Sequence, residues 1–164
     1  MLRFLIGVLF LFASGAQAME RVEVGETRFS KATLTIAGRD GEKSYDQAGL
    51  EALGTYGLET VTPWRKQPAR FVGVRLMDLL HAHGLAEVTA IRVIAENDYA
   101  VTIQREDWQQ NDVLVATRVN GKGHSRRERG PIQFIFDMSS NPRLGDEVFQ
   151  SNWVWMASRI EIAD

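Results

Sequence analysis

Phe71-Val72-Gly73-Val74-Arg75-Leu76-Met77-Asp78-Leu79-Leu80-His81-Ala82-His83-Gly84 is the stretch that decides the fold. Phe71 to Val74 is a short apolar run and reads as an extended, buried segment. From Leu76 the spacing changes. Leu76, Leu79, Leu80 and His83 lie three or four apart and share one helix face, and Gly84 is a natural stop for that helix. A buried strand that runs into a short amphipathic helix belongs to a domain in which helices pack on a sheet.

Working outward from it, Ala32 to Ala37 alternates with period two and predicts a strand, followed by turn chemistry at Gly38 to Gly41. Asp46 caps a short helix through Leu53, with Leu50 and Leu53 on one face and Gly54 at its end. Leu58 to Thr62 reads as extended. Pro63 then stops ladder pairing and leaves Trp64 in a loop. On the other side, Ala90 to Ala95 and Tyr99 to Gln104 flank Asn97-Asp98, an Asx-type turn that predicts a hairpin. Glu106 to Gln109 is a helical turn. Val113 to Val119 is a strand that runs into Asn120-Gly121, a type I′ signal. Ile132 to Met138 is a strand, Asp137 to Gln150 a long polar loop, and Trp153 to Ile162 the last strand. No repeat, low-complexity tract or linker interrupts residues 19–164. The expectation is one α+β domain, richer in strand than in helix.

The 164 residues are 45% hydrophobic, with four Trp, three Tyr and eight Phe, which excludes intrinsic disorder. A formal charge of −2 argues against a strongly basic nucleic-acid binder. There is no Cys, so neither a disulfide scaffold nor a thiolate-ligated metal can form. Residues 1–18 have the three-part design of a secretory signal peptide: Arg3, an apolar run from Phe4 to Ala13, and Ala16-Gln17-Ala18 as a cleavage site. The run is too short to span a bilayer, and no second hydrophobic stretch follows. The expected mature chain is exported, without a transmembrane segment. A single Arg in the leader fits the Sec-type route to the periplasm and not a twin-arginine signal.

Five cations gather on one predicted hairpin: Arg118, Lys122, Arg126, Arg127 and Arg129, with only Glu128 among them. Arginine forks suit phosphate or carboxylate, and equally a solvated run of charge blunts a strand edge. Gly130 closes this loop and permits close backbone approach to a ligand. Trp64 is placed either to stack on a flat ring or to cover the core. Asp98 can accept paired N–H groups from a ring edge, or serve the turn alone. Trp153 and Trp155, two apart, fall on one strand face and read as core more than as ligand contacts. Trp108 reads as a packing residue. The three His are scattered, and no nucleophile with its base, phosphate loop or dinucleotide fingerprint is present.

From Thr60 onward these segments resemble a known family. Thr62-Pro63-Trp64, then Phe71-Val72-Gly73-Val74-Arg75-Leu76 with Asp78-Leu79-Leu80, is similar to the F-x-G-V-x-L-x-x-L-L segment of the sulfite oxidase-type molybdopterin-binding domain. Ala95-Glu96-Asn97-Asp98-Tyr99, Leu114-Val115-Ala116, Asn120-Gly121, Gly130-Pro131 and Trp153-Val154-Trp155 through Ile160-Glu161-Ile162 continue the match in order. The resemblance implies the mixed, strand-rich fold of that family. Catalytic members hold molybdenum through a Cys just before the Trp-containing loop. The corresponding stretch here is Thr60-Val61-Thr62, and a hydroxyl is a poor ligand where a soft thiolate is needed.

The resemblance therefore implies a retained pterin pocket with no metal ligand and no molybdenum. Small exported members with the Asn-Asp-Tyr and Trp-Val-Trp motifs look like non-catalytic pterin-binding proteins that signal to a membrane-bound partner controlling cyclic-di-GMP. On that basis the pocket draws on Thr62, Trp64, Asp98, Tyr99, Arg118, Arg127, Arg129 and Gly130. Trp64 stacks on the pterin, Asp98 meets its amino-pyrimidine edge, and Arg127 or Arg129 meets an oxygen-bearing group. The alternative is a molybdopterin-dependent oxidoreductase subunit with a non-Cys metal site.

Overall fold

The structure is a computed structural model that describes residues 19–163. The leader peptide expected at residues 1–18, and Asp164, lie outside the described residues. In chain order the elements are β1 (Glu20–Arg21), β2 (Thr33–Gly38), β3 (Gly41–Asp46), α1 (Gln47–Glu51), β4 (Tyr56–Thr62), β5 (Arg65–Arg75), α2 (Leu76–Ala82), β6 (Ala90–Ala95), β7 (Ala100–Gln104), α3 (Arg105–Gln110), β8 (Val113–Val119), β9 (Lys122–Gly123), β10 (Gln133–Phe136) and β11 (Ala157–Ile162). One sheet runs β1-β4-β5-β8-β10, with β9 paired to β8. The other runs β3-β2-β11-β6-β7. The β11–β2 pair is parallel and the remaining pairs are antiparallel. The α+β expectation holds.

The stretch Phe71–Gly84 becomes the end of β5 and the whole of α2. Leu76, Leu79 and Leu80 have no exposed surface, and each contributes about 1.5–3 kcal/mol by leaving water. The helix ends in a Schellman arrangement: the Leu85 amide donates to Leu80 O at 2.8 Å and the Gly84 amide to His81 O at 3.3 Å. All seven residues of β8 are buried, so this strand is the middle of its sheet and of the core. Asp46 caps α1 through its side chain, accepting from the Gly49 amide at 2.7 Å. Asn120 and Gly121 both take positive φ, as a type I′ turn requires.

Two expectations are corrected. The last strand begins at Ala157, not at Trp153. Trp153 has ψ 63° and Met156 has φ 51°, so neither is extended. These four residues cross between the sheets instead. Val154 O accepts from the Phe134 amide, the Ala157 amide donates to Ile132 O, and Met156 O accepts from the Glu96 amide. Trp153 and Trp155 consequently do not share a strand face: Trp153 is 1% exposed and Trp155 36%. The second correction concerns Trp64. Pro63 and Trp64 form the two-residue tip of a β4–β5 hairpin, closed by the Thr62–Arg65 pair, rather than an open loop.

Candidate functional site

The crossing segment 153–156 lies where the sheets meet, and it makes one wall of a cleft. Trp64 reaches the same place from the β4–β5 tip, and Asn97 and Tyr99 from the β6–β7 turn. Together with Ala95, Gln150, Ser151 and Met156 they line about 380 Å³ of largely apolar space. Three indoles meet edge to face. Trp64 is 5.1 Å from Trp155 at 68° and 6.4 Å from Trp153 at 87°. Trp153 is the fixed member, since its Nε1 donates to Leu144 O at 2.8 Å and its ring lies 5.5 Å from Phe136. Tyr99, 47% exposed, stands at the mouth. Such a slot accepts a flat ring system.

Trp64, Trp155 and Met156 also border a second lobe of about 420 Å³. Its other sides are Thr62, Arg65, Gln133 and the 3-10 turn Arg126–Glu128 with Arg129. Arg65 is paired with Glu128 at 3.1 Å, and Arg126 donates to Glu96 at 2.8 Å. Arg127 and Arg129 have no carboxylate partner among the described residues. The Arg129 guanidinium lies 4.1 Å from the Trp155 ring centroid and 4.6 Å from that of Trp64. Burial pulls it below its ordinary arginine value, because desolvation disfavours the charged form.

The site residues named from sequence divide into three groups. Thr62, Trp64, Tyr99, Arg127 and Arg129 are brought together around the two lobes. Asp98 sits at the turn apex with φ 64°, exposed, and its neighbours Asn97 and Tyr99 line the cleft while it does not. Its amide donates to Ala95 O, so its observed duty is the turn.

Arg118 and Gly130 are turned to other work. Arg118 is 6% exposed and forms a two-pronged ion pair with Glu51, from Nε at 2.8 Å and Nη2 at 2.7 Å, so it is a structural cation and not a ligand contact. The close approach at Gly130 is to His124: a Cβ there would lie 2.6 Å from the His124 Cγ, so the glycine makes room for that ring. Sequence reasoning missed Asn97, Gln133, Gln150, Ser151, Met156 and the exposure of Trp155. The motif Trp153-Val154-Trp155 was a usable signal, obscured by reading it as a strand.

The donor set near Thr60 does not fit a thiolate-ligated metal. Thr60 is fully buried, and its hydroxyl accepts from the Ser139 amide at 3.1 Å while lying 3.2 Å from the Ser139 hydroxyl. Among the described residues no three His, Cys, Asp or Glu side chains group as metal ligands. A hard, already engaged hydroxyl has little to offer a soft metal.

His124 is 3% exposed, and burial holds its imidazole below the ordinary value of 6.5. The unfolded chain takes up that proton below about pH 6.5 while the folded chain resists it, so stability is expected to fall as pH drops through that value. Thermal unfolding followed from about pH 7.5 to about pH 5.5 should show the decline. A His124→Leu variant should show a shallower one.

No family model matches the chain, and no curated protein does. Among solved structures it is similar to the sulfane dehydrogenase SoxCD from Paracoccus pantotrophus, with a TM-score of 0.61 and 16% identity. The match covers 86% of this chain and 40% of that one, so the chain spans well under half the length of that relative. The fold is thus a mixed, strand-rich α+β domain similar to the sulfite oxidase-like molybdopterin-binding fold. No helix among the described residues is long and apolar enough to cross a membrane.

Proposed function

We propose that the chain is a pterin-binding protein that holds its ligand without a protein-supplied metal ligand. The observation that supports this is the cleft itself: three indoles and a tyrosine around a slot that adjoins a lobe with two unneutralised arginines. The ring would lie in the slot against Trp64 and Trp155. Asn97 at the rim offers an amide to the ring edge, a place for which Asp98 was expected. Arg127 and Arg129 would meet an oxygen-bearing group beyond the shared wall, and Thr62 and Tyr99 would border the ligand.

Protein purified from its native host should carry a fluorescent small molecule that mass spectrometry identifies as a pterin. Replacing Trp64 by Ala should weaken binding of an added reduced pterin by about 1–3 kcal/mol, the scale of base–aromatic stacking. Fluorescence titration measures it, and an unchanged affinity would remove Trp64 from the site.

In this reading the protein works in the periplasm as a ligand sensor. A membrane-bound signalling protein that controls cyclic-di-GMP would be its partner. The support is the leader-like design of residues 1–18 and the family motifs, and co-purification with a membrane partner only when pterin is present tests it. A second reading, a molybdopterin-dependent oxidoreductase subunit with a non-Cys metal site, is favoured by one observation: a structural neighbour is a dehydrogenase. Stoichiometric molybdenum in protein from the native host would favour that reading over the first.

A further inference from the structure

The wall shared by the cleft and the neighbouring lobe carries a reactive group that ring binding does not use. Met156 borders both spaces, beside Trp64 and Trp155. Its backbone is fixed in a left-handed conformation, φ 51°. Met156 O accepts from the Glu96 amide at 2.9 Å, and the next amide, that of Ala157, donates to Ile132 O at 2.9 Å. With the carbonyl taken, what this half-buried residue shows to the two spaces is its thioether side chain.

The other methionines of the described residues are placed differently. Met19, Met77 and Met138 pack against the hydrophobic core. The Met138 sulfur is covered by Gly145, where a Cβ would lie 2.8 Å from it. A thioether is oxidised as fast as an oxidant reaches its sulfur, so the four are not equivalent. Met156 is the one with open space on two sides.

Oxidation there has a direct consequence for the cleft. A thioether is apolar and polarisable, and it suits the face or edge of an aromatic ring. A sulfoxide oxygen is a strong acceptor. Among the indoles it would be a polar group without a donor, while Arg127 and Arg129 across the wall have N–H groups to offer and no carboxylate partner among the described residues. We propose that Met156 is a site of reversible oxidation by hydrogen peroxide, and that its sulfoxide closes the cleft to a flat ring. The Met156 sulfur lone pair attacks one peroxide oxygen, the O–O bond breaks, and the displaced hydroxide takes up the proton from the transferred oxygen and leaves as water. Sulfur is oxidised by two electrons and peroxide is reduced. Reversal consumes two thiols, which become a disulfide, and returns the oxygen as water. The effect on ligand rests on the ring-binding reading of the cleft, but the oxidation does not.

The test treats the purified protein with dilute hydrogen peroxide at neutral pH and follows each methionine by peptide mass spectrometry. Met156 should gain its oxygen about fivefold faster than Met77 or Met138, or more. After the peroxide is removed, fluorescence titration with an oxidised pterin should show affinity about tenfold weaker or more, restored by methionine sulfoxide reductases with a dithiol. Tryptophan emission should shift on oxidation and return on reduction, with or without pterin. In Met156→Leu, a swap of similar volume, treated and untreated protein should have the same affinity and the same emission.

A Met156 that oxidises no faster than Met77 and Met138 would overturn the proposal, as would a Met156 sulfoxide protein that binds the ring as tightly as before. Should Met156→Leu fail to fold, reversal by the reductases in wild type decides. Untreated protein that binds no pterin would sink the pterin reading alone. The emission then decides this one: a reversible shift on Met156 oxidation supports it, and an unchanged emission refutes it.

Discussion

Replacing Gly73 by alanine is expected to cost more than about 3 kcal/mol, at or above the upper end for an overpacked core. Thermal unfolding should drop by about 10 °C or more, or soluble protein should be lost altogether. A Cβ at this position would lie 2.0 Å from Val115 O and 2.7 Å from the Ala116 Cα. Both are backbone atoms of β8, buried along its whole length, so no side chain can swing aside. The β5–β8 register slips between Val72 and Gly73, and the missing side chain is what lets the strands close at that irregularity. Gly25→Ala is the control, because a Cβ there has nothing within 4 Å, and it should leave stability within about 0.5 kcal/mol of wild type. A Gly73→Ala protein as stable as that control would show that the two strands do not pack as described.

Replacing Glu51 by alanine is expected to destabilise the fold by about 3–5 kcal/mol, because it leaves Arg118 as an uncompensated buried cation. The side chains of this pair are 7% and 8% exposed. Glu51 also accepts from the Thr117 hydroxyl at 2.6 Å, and Arg118 donates to Gly25 O at 2.8 Å with its guanidinium 5.2 Å from the Phe29 ring. The network ties the N-terminal segment and α1 to the central strand. Removing both charges together, Glu51→Leu with Arg118→Leu, should cost less than Glu51→Ala alone, since no lone charge is then left in the interior. Denaturant unfolding measures all three. An additive double variant would mean that the two side chains do not interact.

Elements set by local pattern were legible in the sequence. Val113–Val119 is a strand with the expected bounds, and the strand-to-helix change at Leu76 falls one residue from where the leucine spacing puts it or closer. Asp46 caps its helix, and Asn120-Gly121 turns as its residue types demand. The positions that went astray are decided by partners far along the chain. Arg118 looked like one of five loop cations, but its carboxylate is 67 residues earlier.

Trp155 looked like a core residue because a spacing of two implies a strand face, and left-handed backbone at Met156 breaks that period. Asp98 looked like a ligand contact, and the turn that makes Asp98 its apex hands the cleft to Asn97 and Tyr99. Gln133 carried no local signal, since its place beside the lobe is set by an imidazole nine residues earlier and a glycine that makes room for that ring.

The most direct test of the account is a titration of the purified chain with a reduced pterin while its tryptophan fluorescence is followed. Trp64, Trp153 and Trp155, three of the chain's four tryptophans, line the cleft, so a ring entering it lies against most of the indoles. The account predicts a saturable quench with one ligand per chain, strongly weakened in Trp64→Ala and unchanged in Gly25→Ala. A fluorescence that neither reduced nor oxidised pterin changes in a saturable way would contradict it.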